Sequence, residues 1–123
     1  MKTLKPKKIQ KGDTIGVVSP SEPIENPETD EQFKSGIKFL ESLGFKIKLG
    51  RFVSSKNPEE KAKDINEMFK DKNIKVIIAS QGGETANALL SFLDYESIKH
   101  NPKIFIGISD ITVLLNAINK KQD

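Results

Sequence analysis

Val76-Ile77-Ile78-Ala79-Ser80-Gln81-Gly82-Gly83 sets an unbroken apolar run directly against small polar residues and two glycines. Three of the four apolar residues are β-branched and none alternates with a charge, which predicts a strand buried on both faces, as in a parallel sheet covered by helices. Paired glycines after such a strand let the backbone approach a ligand and leave an N–H free for it, or they simply make a turn. Upstream, Asn57-Pro58-Glu59-Glu60 supplies an N-cap, a proline at the first helical position and early acids, and Ala62, Ile65, Met68 and Phe69 form one apolar face behind them. A helix therefore feeds the strand. Downstream, Glu84 to Leu93 reads as a third helix, Lys103 to Gly107 as another buried strand, and Asp110 to Asn119 as a final helix with Ile111, Leu114, Leu115 and Ile118 on one side.

The same alternation extends towards the N-terminus. Phe45-Lys46-Ile47-Lys48-Leu49 alternates apolar and charged residues, which predicts a strand buried on one face and near a sheet edge. Before it, Phe33, Ile37, Leu40 and Leu43 recur three or four apart from Glu31 onward, and Gly44 stops the helix they form. Ser19 to Asp30 holds Pro20, Pro23 and Pro27 and is a loop; Thr14 to Val18, after the turn residues Gly12 and Asp13, is a short buried strand. Strand and helix alternate four times. The fold class is α/β, an open parallel sheet of about four strands with helices on both faces, because right-handed crossovers return the chain over the sheet. Residues 11–123 form one domain behind a basic arm at 1–10, with no internal repeat and no linker, and the final helix would ordinarily lead into a fifth strand.

With 123 residues the chain can bury roughly two thirds of its unfolded surface. Apolar residues make up 36% and charged residues 30%, the balance of a soluble globular protein. Lys2, Lys5, Lys7, Lys8 and Lys11 carry part of the net charge of +3, but no aromatic residues interleave with them, so the arm reads as a solvated tail and nucleic acid is not an expected partner. Cysteine is absent, which excludes disulfides and thiol catalysis. No apolar run approaches the ~20 residues of a membrane span, and the first ten residues lack a signal-peptide centre, so the expectation is a cytoplasmic protein with no membrane partner.

In an open parallel sheet ligands bind beyond the carboxyl ends of the strands. Three loops meet that description: Ser19 to Ser21, Ser80 to Thr85 and Gly107 to Asp110. Gly107-Ile108-Ser109-Asp110 has the form of a strand-to-helix elbow, with a glycine two residues before an exposed serine and helix N–H groups behind it. The usual hydrolase elbow has a second glycine two residues after the serine, where this chain has Ile111. Ser109 is thus either a nucleophile or the cap of the final helix. Gln81-Gly82-Gly83 is a candidate oxyanion hole only alongside such a serine. His100, the single histidine, lies at the start of the last strand while Ser109 lies past its end, roughly 17 Å or more away at strand spacing, so it cannot serve as base. No residues have metal-ligand spacing, and phosphate-loop and dinucleotide patterns are missing, so no cofactor is expected.

Lys11-Gly12-Asp13-Thr14-Ile15-Gly16-Val17-Val18-Ser19-Pro20, Leu43-Gly44-Phe45, Gln81-Gly82-Gly83, Leu93-Asp94-Tyr95 and the run from Asn101 to Thr112 together resemble the N-terminal half of LD-carboxypeptidases. These are serine peptidases that trim the terminal D-alanine from murein tetrapeptides, with microcin C immunity relatives that cleave peptidyl or aminoacyl nucleotides. The resemblance runs from about Lys11 to Asn119. It implies a flavodoxin-like domain, comparable to the N-terminal domain of class I glutamine amidotransferases. It also implies that Ser109 is the nucleophile, that the backbone N–H groups of Asp110, Gly82 and Gly83 form the oxyanion hole, and that Ser19, Pro20, Gln81, Glu84 and Thr85 contact substrate. Ile108 stands where the family often has an aromatic residue, and Gln81 with Glu84-Thr85 stands where it often has Arg and Tyr-Gly; Gln81 and the following Thr85-Ala86-Asn87 lean towards the immunity branch. The resemblance also implies that the family's glutamate and histidine come from a C-terminal catalytic domain, which is expected to be absent from this chain. The resemblance therefore implies a peptide or murein-peptide substrate and inactivity of this chain alone. The alternative expectation, a binding or assembly module that forms a homodimer or pairs with a complementary half, comes from the sheet edge and apolar surface that a missing fifth strand would leave open.

Overall fold

The computed structural model of the chain describes residues 9–20, 23–79 and 86–106. Its elements are β1 (Thr14–Val18), α1 (Glu31–Ser42), β2 (Lys46–Leu49), α2 (Pro58–Lys70), β3 (Ile74–Ala79), a 3-10 segment (Ala86–Phe92), α3 (Tyr95–His100) and β4 (Ile104–Ile106). The strands form one parallel sheet in the order β2-β1-β3-β4. The path from β1 to β2 steps one way across the sheet and the path from β2 to β3 steps back the other way. Right-handed crossovers in opposite senses put α1 and α2 on opposite faces, as the sequence predicts.

Local chemistry explains where the helices begin and end. Asn57 Oδ1 accepts from the Glu60 amide at 3.1 Å, and Asp30 Oδ1 accepts from the Phe33 amide at 3.0 Å, so each helix spends a side-chain oxygen on one of its orphan donors. At the end of α1, Gly44 takes φ +99°, its amide donates to Glu41 and the Phe45 amide donates back to Leu40. That paired pattern requires a left-handed residue, which glycine adopts without a Cβ clash.

The core lies between the sheet and α2. Phe69, Ile65 and Ala62 of α2 are fully buried, and Phe69 stacks on Phe105 of β4 with ring centroids 6.3 Å apart. The close seat of α2 on β1 depends on Gly16, where an added Cβ would stand 2.3 Å from Met68 Sδ. β2 lies at the edge, as its alternation predicts, although Leu49 points to solvent together with Lys46 and Lys48. Among the described residues no helix is long and apolar enough to cross a membrane.

Two expectations need correction. The third helix, expected over Glu84 to Leu93, is in its described part a 3-10 segment, Ala86–Phe92, and a separate α3 follows. Asn66 of α2 causes the break: its amide nitrogen donates to the Phe92 carbonyl at 3.0 Å and its oxygen accepts from the Asp94 amide at 2.8 Å. Those backbone groups are then unavailable to a continuing helix. Asp94 caps α3 through the Ser97 amide and hydroxyl, bonds that hold its carboxyl below the ordinary carboxylate range. The second correction concerns β4, which is buried only at Phe105, while Ile104 and Ile106 face outward. Lys103 before it is buried, with its Nζ donating to the Ile74 carbonyl at 2.7 Å and to the Asp71 carbonyl at the C-terminal end of α2. Its burial lowers its pKa to about 8. The final helix predicted at Asp110 to Asn119 lies outside the described residues.

Candidate active site

β1 and β3 are adjacent strands whose onward connections leave to opposite faces, so a crevice opens between their carboxyl ends. The last paired residues are Val18 with Ala79 and Ile78 with Ile106. β1, β3 and β4 therefore end within one residue of each other, at a strand spacing of about 4.8 Å. Ser19 and Pro20 continue from β1 at this edge and both are buried. The other sequence-predicted site residues, Gln81, Gly82, Gly83, Glu84, Thr85, Ser109 and Asp110, lie outside the described residues. His100 ends α3, ahead of β4, rather than starting the strand itself. It is exposed, with Nδ1 2.7 Å from the Glu96 carbonyl, and it stands at the amino end of the sheet, opposite the crevice.

Further along the chain, the loop from Pro23 to Asp30 shapes an open cleft of about 340 Å³, lined by Pro23, Ile24, Glu25, Asn26, Thr29 and Asp30. Ile24 is buried and fastened at both backbone groups: its amide donates to the Val53 carbonyl at 2.8 Å, and its carbonyl accepts from the Ser54 hydroxyl. The turn that carries Val53 and Ser54 is fastened in its own right. Gly50 donates to the Val17 carbonyl at 2.8 Å, and the Phe52 amide donates to Asp64 Oδ2 at 2.9 Å. Burial pushes the Asp64 carboxyl above the ordinary carboxylate range, and Glu67 adds to that push; the amides of Phe52 and Arg51 and the Arg51 charge oppose it.

Asp64 lies outside the sequence motifs, although the sequence carries a signal for it. It stands three residues after Lys61 and four before Met68, on the side of α2 that is otherwise apolar, and both Lys61 and Asp64 are buried. A charge on an apolar stripe announces a partner, but it does not say which one. A second cleft, lined by Asp13, Lys46, Lys72, Asn73 and Lys75, lies at the amino ends of the strands, where open parallel sheets do not bind their ligands.

Comparison with known proteins gives this edge a context. The family profile described as the LD-carboxypeptidase N-terminal domain matches residues 15–123. A probable murein peptide carboxypeptidase of Bacillus subtilis is 35% identical over 122 residues, covering 94% of this chain and 37% of that protein. The microcin C7 self-immunity protein of Escherichia coli is 40% identical over 116 residues, covering 89% of this chain and 33% of that protein. The crystal structure of an MccF-like protein from Bacillus anthracis superposes with a TM-score of 0.86 at 40% identity, over 97% of this chain and 38% of its own. The chain thus spans about a third of the length of the relatives it matches.

Proposed function

The chain belongs to the LD-carboxypeptidase family, matching its N-terminal domain, and from that premise we propose that it carries the nucleophile of a serine carboxypeptidase, Ser109. Its substrate is a murein tetrapeptide cut at an L,D-peptide bond or a microcin-type peptidyl-nucleotide. One observation above all supports the reading: β1, β3 and β4 end level with one another at the point where the sheet's connections diverge. Ser19, the Gln81-Gly82-Gly83 turn and Ser109 each follow one of those ends within a few residues.

In this reading Ser109 Oγ attacks the scissile carbonyl while its proton passes to a histidine oriented by a glutamate. The backbone N–H groups of Asp110, Gly82 and Gly83 receive the developing oxyanion. Collapse expels the leaving amine with that proton, and water then hydrolyses the acyl-enzyme. Ser19, Pro20, Gln81, Glu84 and Thr85 contact the substrate. The only histidine in the chain stands at the opposite end of the sheet, so the base comes from outside these residues. A serine hydroxyl without a base has the reactivity of an ordinary alcohol.

The 123-residue chain alone is thus expected to turn over neither a murein tetrapeptide nor a peptidyl-nucleotide. Assay of both substrates beside Ser109→Ala tests the reading: turnover that disappears in the variant would place a working base inside this chain and refute its inactivity. When this chain is joined to a C-terminal domain that carries the histidine and glutamate, Ser109→Ala is expected to abolish turnover, and unchanged turnover there would remove Ser109 from the chemistry. A second reading, a binding or assembly module, is favoured by the outward-facing Ile104, Ile106 and Phe92. It predicts self-association or pairing with a complementary half, and a clean monomer in sedimentation counts against it.

A further inference from the structure

Asp64 offers its buried carboxylate to backbone amides twelve or more residues away in sequence, and the turn it holds is closed to any larger residue. A Cβ at Gly50 would stand 2.3 Å from Asp64 Oδ2, so the carboxylate and the turn fit together only because position 50 is glycine. The same turn reaches the loop after β1 through two bonds, Ile24 amide to Val53 carbonyl and Ser54 hydroxyl to Ile24 carbonyl. Each backbone polar group of Ile24 is satisfied by this contact, so the loop has one seat rather than several.

We propose that Asp64 is a positioning residue for the substrate wall: by holding the Gly50–Ser54 turn it sets Ile24, and with it the cleft lined by Pro23 to Asp30, in the loop that follows β1 in sequence. The inference rests on the peptidase reading in taking this cleft as the substrate's. Asp64 touches no substrate; it acts through the turn. It also makes α2 the link between the two loops, since the helix that packs the core is the one that carries the carboxylate.

Amide hydrogen exchange by NMR on the 123-residue chain tests the relay. In Asp64→Ala the amides of Phe52 and Ile24 exchange on the order of ten-fold faster, the effect of losing a hydrogen bond to a charged acceptor, while those of Val76 and Ile77 in β3 keep their rates. Asp64→Asn, which retains an acceptor oxygen of the same shape, restores most of the protection. Gly50→Ala, which crowds the carboxylate without removing it, accelerates the same amides and carries the test should Asp64→Ala fail to fold. Unchanged exchange at Ile24 in all three variants would show that the relay stops short of the wall, and uniform acceleration through β1 and β3 would make Asp64 a support of the fold at large. Either result overturns the proposal. Loss of the peptidase reading would appear as absent turnover when the chain is joined to a histidine- and glutamate-bearing C-terminal domain and would leave these rates untouched, so the two fail separately.

Discussion

On the face of the sheet that carries α2, Phe105 of β4 is covered by a stacked Phe69; on the other face the neighbours of Phe105, Ile104 and Ile106, are 36% and 50% exposed. The helices differ in the same sense. α1 and α2 have comparable apolar spacing and each has a side-chain N-cap, yet α2 buries six residues and α1 none, with Phe39 62% exposed. Position in the sheet accounts for the difference: α2 spans the inner strands β1 and β3, whereas α1 lies against the edge strand β2. Amphipathicity therefore identifies the side of a helix that meets protein, while topology decides how much protein is there to meet.

The contrast is open to test. Phe69→Ala removes a fully buried ring and should lower stability by about 3–5 kcal/mol, read as a fall in the urea midpoint. A loss under about 1 kcal/mol would mean the α2 face is no better packed than the other. A smaller effect is expected at Lys103, whose pKa of about 8 lies below its ordinary 10.5. Between those values the unfolded chain binds more protons than the folded one, so stability should rise with pH from about 8 to about 10.5, and below about 8 the contribution is constant. Lys103→Met should flatten that rise in pH-dependent urea titrations; an unaltered slope would assign it to other groups. Removing the caps comes next: Asn57→Ala should cost about 1 kcal/mol, and Asp30→Ala should fray α1 with less effect on the global midpoint. Equal losses would show that both helices share one cooperative unit. Last, Phe39→Ser and Ile106→Ser should leave the midpoint within about 0.5 kcal/mol of the parent and reduce any self-association seen in sedimentation velocity.

The features that the sequence revealed are those whose causes lie within a few residues. The Asn57-Pro58 start of α2, the Gly44 stop of α1 and the limits of β1 are local chemistry, and each falls where the residues put it. The edge position of β2 followed from alternating charges. The break after Phe92 did not, because Asn66 acts on it across 26 and 28 residues, and the burial of Lys103 depends on carbonyls 29 and 32 residues away. At the site, the apolar runs announced which strand ends would carry loops, and the register then brought those ends level. Asp64 remained hidden because its partner amides belong to a turn with no sequence signature of its own.

The parallel sheet also governs how the chain acquires its shape. Among the described residues every strand pairing is parallel, so no hairpin among them can form early and each ladder waits for a helical crossover to close. β1, the first of the described strands to be synthesised, sits between β2 and β3, so its second neighbour arrives only once Ala79 has been synthesised. Until then a strand made of Thr14-Ile15-Gly16-Val17-Val18 presents an open apolar edge, the interval in which a nascent chain is most prone to wrong pairings and chaperone capture.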